Sequence, residues 1–117
     1  MSYKPGLHIL AEFSVKDVAC LSSSDVCKTL FDRLIEQHQL TKVGEVYHDF
    51  SGAGFTVVVC LTESHLSIHT WPEFNLATFD IFLSNYQKDN SEKARAMYKG
   101  VLEFFNGVEI EAKEVVR

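Results

Sequence analysis

The sequence has no apolar run approaching the roughly 18 to 20 residues that a helix needs to span a bilayer. It has no internal repeat, low-complexity stretch or long charge run. It also lacks a cationic excess: 11 Lys and Arg stand against 16 Asp and Glu, a net charge of −5. Non-specific nucleic-acid binding depends on Lys and Arg neutralising phosphates, so that class is disfavoured. Cysteine is scarce and odd in number, at Cys20, Cys27 and Cys60, with no C-x-x-C spacing. Neither a disulfide framework nor a zinc site is expected. Cys60 ends the run Val57-Val58-Val59 and is expected to be a buried, inert thiol. The opening Met1-Ser2-Tyr3-Lys4-Pro5 lacks the apolar core of a signal peptide, so a cytoplasmic location is the expectation. What remains is an ordinary globular composition, and its 117 residues fit one domain over 1–117 with one core.

Apolar periodicity sets out the elements. Leu7 to Phe13 reads as a strand with Leu7, Ile9, Ala11 and Phe13 on one face. Ser22-Ser23-Ser24 offers N-caps to a helix running to about His38, with Val26, Leu30 and Leu34 in its stripe and Phe31 and Ile35 beside them. Val43 to Phe50 reads as a second strand, Ser51-Gly52-Ala53-Gly54 as a loop, and Phe55 to Leu61 as a β-branched third strand. Thr62-Glu63 is a short connection into a strand from Ser64 to Thr70. Trp71 to Asn75 reads as a turn and Leu76 to Ser84 as the fifth strand. Asn90 or Ser91 caps a second helix ending before Gly107, with Ala94, Met97, Val101, Phe104 and Phe105 on its apolar side. Val108 to Val115 reads as the last strand, with Val108, Ile110 and Ala112 alternating with charged residues. The order is β-α-β-β-β-β-α-β. Short links favour an antiparallel sheet, and both helices need one face of it, so the expected class is an α+β two-layer sandwich. The other sheet face is left partly open, which makes a homodimer the expected assembly.

The segment Thr62-Glu63-Ser64-His65-Leu66-Ser67-Ile68-His69-Thr70-Trp71-Pro72-Glu73 carries the functional signal. His65 and His69 have H-x-x-x-H spacing, a metal pair on a helix. On a strand they lie about 13 Å apart, too far for one ion, and no metal site is expected. If Thr62-Glu63 is a two-residue turn, Thr56 falls opposite His69. If Trp71 to Asn75 is the next connection, Ser84 falls opposite Thr62, beside the Glu63–Ser64 bond.

With Glu63-Ser64-His65 leading into His69-Thr70-Trp71-Pro72-Glu73, the chain resembles the prokaryotic S-adenosylmethionine decarboxylase proenzymes, which are pyruvoyl-dependent. Gly6-Leu7-His8, Ala11-Glu12-Phe13, His48-Asp49-Phe50 and Ala77 to Phe82 extend the likeness over roughly residues 6 to 84. The resemblance implies self-cleavage between Glu63 and Ser64 into a β chain, 1–63, and an α chain, 64–117. Ser64 attacks the Glu63 carbonyl, the amide becomes an ester, and β-elimination followed by hydrolysis leaves a pyruvoyl cofactor derived from Ser64. That carbonyl forms a Schiff base with S-adenosylmethionine and accepts electrons as CO₂ leaves. The product is the aminopropyl donor for spermidine biosynthesis.

The same resemblance assigns residues. His69 matches the histidine of the elimination step. Thr56 stands where a serine assisting processing is usual, and Ser84 where a proton-donating cysteine is usual. Glu73 matches the carboxylate on the substrate's ribose, Phe50 the aromatic that stacks on adenine, and Leu66 an apolar residue of that pocket. Two other readings carry the same junction: a pyruvoyl decarboxylase of this fold acting on arginine or ornithine, and a non-catalytic regulatory homologue.

Overall fold

Side-chain alternation decides how the sheet is laid down. The computed structural model describes residues 2–117. Among these residues the chain runs β1 (Leu7–Ser14), α1 (Ser24–Gln37), β2 (Lys42–Asp49), β3 (Phe55–Leu61), β4 (Ser64–Trp71), β5 (Leu76–Leu83), α2 (Ser91–Phe105) and β6 (Val108–Val116). This is the expected order of strands and helices. Two 3-10 turns, Val18–Leu21 and Pro72–Phe74, were not legible from periodicity. The strands form one antiparallel sheet in the order β2-β3-β4-β5-β1-β6. The first strand of the chain is thus inserted between two late ones, β5 and β6.

Leu7, Ile9, Ala11 and Phe13 of β1 are buried together, as are Phe55, Val57, Val59 and Leu61 of β3. Leu66 and Ile68 of β4 and Ala77, Phe79, Ile81 and Leu83 of β5 complete this helix-facing side. Each such aliphatic or Phe side chain withdrawn from water contributes about 1.5–3 kcal/mol. Helix α1 is capped by Ser23, whose Oγ accepts from the Asp25 N–H. The Ser24 N–H and hydroxyl both donate to the Asp49 carboxylate, at 2.7 and 3.1 Å, which pins the helix start to the end of β2. The buried stripe of α1 is Cys27, Leu30, Phe31, Leu34 and Ile35. Val26 is 46% exposed and is not part of it, because Cys27 holds the position three residues before Leu30 and four before Phe31. In α2 the buried residues are Ala94, Met97, Tyr98, Val101 and Phe105, with Phe104 half-buried. Gly100 lies where a Cβ would come within 3.1 Å of Leu34 Cδ2, so the glycine that weakens α2 lets the two helices approach.

Two further expectations are corrected. Cys60 is exposed: it shares the open side of β3 with Thr56 and Val58, since alternation outweighs the apolar run around it. Every residue of edge strand β6 is exposed as well, the alternating Val108, Ile110 and Ala112 included, and its pairing with β1 shifts register between Glu12 and Phe13. The second concerns β4 and β5. Trp71 is the last residue of β4 and pairs with Leu76, so the connection is Pro72 to Asn75, with Asn75 left-handed at φ 53°. The pairing is therefore one residue off the expected one. Thr70 lies opposite Ala77, buried against buried, where the expected register would have set it against half-exposed Leu76.

Candidate active site

Two clusters of the expected site residues form, and they lie apart. The first is the β3–β4 hairpin. Leu61 pairs with Ser64 across the two residues Thr62 and Glu63, as expected. Two-residue hairpins normally place a positive φ inside the turn so that its twist matches the strands. Here neither Thr62 nor Glu63 has one, and the positive φ falls on the next residue, Ser64, at 146°. A residue with a side chain adopts such a conformation at a cost of about 1–3 kcal/mol. The strain is thus stored at Ser64, next to its bond with Glu63.

The corrected β4–β5 register brings Ser84 beside Glu63, where Thr62 was expected. The Ser84 N–H donates to the Glu63 carbonyl oxygen at 2.8 Å. An N–H on that oxygen draws electron density from the carbonyl carbon and favours attack on it. Gly6 runs close by: a Cβ there would lie 2.4 Å from the Leu83 oxygen and 3.0 Å from Ser84 Cα. A cavity of about 390 Å³ opens beside the junction, lined by Thr62, Glu63, Ser84, Tyr86, Lys88 and Asn90 among others. The Glu63 carboxylate accepts from the Thr62 hydroxyl at 2.7 Å and is turned along the hairpin.

The second cluster is on the open face. Thr56 lies opposite His69, as the hairpin register predicts, and Thr56 Oγ1 is 3.0 Å from His69 Nδ1. That contact occupies Nδ1 and leaves Nε2 as the ring nitrogen not engaged by Thr56. The Trp71 ring is 6.3 Å from that of His69. Phe50, exposed, packs edge-on against His48 at 4.8 Å, and its N–H donates to the Gly54 carbonyl. Glu73 is exposed on the turn after β4. Leu66 stands apart from both clusters, 1% exposed within the helix-facing core.

His65 and His69 lie four residues apart on strand β4, so the helical metal-pair geometry does not occur. His65 belongs to a further group on the open face. Its ring is 5.9 Å from His8 and 6.1 Å from Phe82, and His8 Nε2 lies 3.6 Å from an Asp80 oxygen. Burial, and then neighbouring His8, hold the His65 imidazole below its ordinary pKa. Sequence reasoning passed over this group, and also Asn85 and Asn90 beside the junction. Asn90 was legible only as a helix cap.

Five strand steps separate Ser64 from His69 along β4, about 16 Å. One copy of the chain does not bring His69 to the junction.

Comparison with known proteins adds independent findings. Residues 7–117 match the family model described as S-adenosylmethionine decarboxylase. An S-adenosylmethionine decarboxylase proenzyme of Archaeoglobus fulgidus is 38% identical over 101 residues, 86% of each chain. One from Aquifex aeolicus is 40% identical over 92 residues, covering 79% of this chain and 66% of that protein. The crystal structure of the adenosylmethionine decarboxylase from Aquifex aeolicus superposes with a TM-score of 0.80 and 30% identity, over 99% of this chain and 91% of that one. A shared family model over nearly the whole length, relatives of this identity and a common architecture place this chain in the S-adenosylmethionine decarboxylase family.

Proposed function

We propose that this chain is a self-processing, pyruvoyl-dependent decarboxylase of S-adenosylmethionine, which supplies the aminopropyl donor for spermidine biosynthesis. The observation that carries the reading is the junction itself: Ser64 at φ 146°, following a carbonyl that already accepts the Ser84 N–H. Strain and polarisation favour the same step. The Ser64 oxygen adds to the Glu63 carbon, its proton leaves, and the C–N bond breaks to give an ester and a free Ser64 amine. Elimination across Ser64 Cα–Cβ then releases 1–63 with a Glu63 carboxylate and leaves dehydroalanine on 64–117, and its hydrolysis releases ammonia and leaves the pyruvoyl group at the new N-terminus. Bound there, that group supplies an electron sink for loss of CO₂.

The chain's own residues have these roles. Ser64 is nucleophile and cofactor precursor, and Glu63 provides the carbonyl that it attacks. His69, its Nδ1 occupied by Thr56, takes the proton removed in the elimination. Ser84 donates a proton to the product carbon. Phe50 and Glu73, both solvent-facing, receive the adenine and the ribose hydroxyls, and Leu66 backs the pocket from the core.

The separation of the two clusters supports a homodimer. A two-fold axis between two open faces, lying across the strands, makes β4 of each copy antiparallel to that of the other. The junction of one copy then meets the His69 end of its partner. The open face suits such burial: Leu10, Val46 and Val58 are exposed apolar residues in one row across the sheet. Among the described residues, no helix is long and apolar enough to cross a membrane.

The test is the mass of the purified protein and its CO₂ release. Two chains are expected, the C-terminal one beginning with pyruvoyl in place of Ser64, together with CO₂ from carboxyl-labelled S-adenosylmethionine. Ser64→Ala should remain one uncut chain. Cutting in that variant, or CO₂ release from arginine or ornithine instead, would overturn the reading.

A further inference from the structure

The cavity beside the junction is closed on one side by the segment that joins β5 to α2. Asn90, the residue before α2, does not cap the helix with its side chain. The exposed Asp89 carboxylate accepts from the Ser91 N–H instead, at 2.9 Å. The Asn90 side chain turns back, and its Nδ2 donates to the Ser84 carbonyl at 2.9 Å. Asn90 is 3% exposed, and its buried Oδ1 has no hydrogen-bond partner among the described residues. A buried amide forgoes a cap and leaves an acceptor unmatched in order to hold one carbonyl. Such a departure from full satisfaction belongs with sites where geometry is under functional demand.

The contacts form one series. The Asn85 Nδ2 donates to the Pro5 carbonyl at 2.9 Å, and its Oδ1 accepts from the Asn90 N–H at 2.6 Å. Asn90 holds the Ser84 carbonyl, and the Ser84 N–H holds the Glu63 carbonyl. Ser84 lies past the last β4–β5 pair, Ser64 with Leu83. Its backbone is therefore held by the scissile carbonyl at one end and by Asn90 at the other.

We infer that Asn90 is a positioning residue for self-cleavage: by holding the Ser84 carbonyl it fixes the 84–85 peptide, and through it the backbone at Ser84, so that the Ser84 N–H stays on the Glu63 carbonyl while Ser64 attacks. The inference rests on the functional reading above and deepens it. Loss of the Asn90 donor removes one of the two tethers on the Ser84 backbone, and its N–H is then held less firmly on the oxygen on which negative charge develops. Formation of the ester is then the step that slows. The Asn85 side chain touches neither the Ser84 carbonyl nor the Ser84 N–H and holds the segment through Pro5 and Asn90, so its removal has a smaller effect of the same sign.

The experiment follows cutting of freshly synthesised full-length chain over time, with hydroxylamine added to samples. Hydroxylamine cleaves esters and spares amides, so it separates ester formation from elimination. Asn90→Ala should slow cutting about tenfold, with the uncut chain resistant to hydroxylamine. Asn90→Asp keeps the size and removes the donor, and it should behave in the same way where the alanine variant folds poorly. Asn85→Ala should slow cutting less. A residue that merely stabilised the loop would lower the melting temperature and leave the cutting rate of the folded chain unchanged. Unchanged cutting in folded Asn90 variants overturns the inference, as does accumulation of a hydroxylamine-sensitive ester. A parent chain that never cuts overturns the functional reading instead, and this inference with it.

Discussion

Thr56 Oγ1 lies 3.0 Å from His69 Nδ1 across neighbouring strands, and the bond between Glu63 and Ser64 lies at the other end of β4. If the two ends meet only between copies, variants defective at opposite ends should rescue each other. Alone, Ser64→Ala lacks the nucleophile and His69→Ala lacks the base. Mixed in one dimer, the His69→Ala chain should be cut, using His69 of its companion. Mass spectrometry of co-expressed, differently tagged chains reads this. Absence of cutting in mixed dimers would mean that each copy processes itself.

If Ser84 holds the proton donor's place, as the resemblance implies, its replacement of a cysteine should appear in turnover rather than in the cut. A thiol with a pKa of about 8.5 gives up a proton near neutrality far more readily than a serine hydroxyl. Ser84→Cys should raise the rate of CO₂ release and leave the cleavage position unchanged. General acids supply about 10²- to 10⁴-fold when fully matched, and the gain here should be smaller because the surroundings accommodate serine. The variant should also complete more turnovers before misplaced protonation converts the cofactor to alanine. Steady-state CO₂ release, with mass analysis of the α chain, measures both effects.

Thr70 should matter for stability. Its buried hydroxyl donates to the Leu21 carbonyl at 2.8 Å and accepts from the Phe55 N–H at 2.9 Å. Thr70→Val keeps the shape and strands both backbone groups, at about 1–3 kcal/mol for each group left unpaired. Urea unfolding should show a lower midpoint with little change in slope.

His65 should give the fold an acid-side weakness. Its imidazole is held below its ordinary pKa, first by burial and then by His8, with Arg117 acting in the same sense and Asp80 opposing. The unfolded chain therefore takes up this proton at a higher pH than the folded one. Stability is unaffected above the unfolded value of about 6.5. It is lost as pH falls from there through the lower folded value. Between neutral pH and mildly acidic pH, His65→Phe should lose less melting temperature than the parent, measured on the Ser64→Ala background so that all chains are uncut.

The sequence made the β3–β4 half of the site legible because a two-residue turn leaves one register open to it. Thr56 and His69 meet for that reason. The β4–β5 half was legible only to within one residue. Trp71 before Pro72 reads as turn, yet its main chain continues the ladder to Leu76. Leu30, Phe31, Leu34 and Ile35 of α1 are buried as expected, and only the first member of the stripe was misplaced: Cys27 is as apolar as Val26 when buried, and only the packing shows which of them points inward. Asn90 was hidden because an asparagine before a helix reads as a cap, and whether its side chain turns forward or back is settled by tertiary contacts.

The sheet order has a further consequence for a chain cut at Glu63. The N-terminal piece would own β1, which has eight residues paired with β5 on one side and eight with β6 on the other, both belonging to the C-terminal piece. The β3–β4 ladder would join the pieces a third time. The two products would be dovetailed, not merely adjacent, and neither could be withdrawn without dismantling the sheet. Backbone scission would then be mechanically silent. The protein would gain a new chain end at its reactive centre and keep, under native conditions, the hydrodynamic size of the uncut precursor.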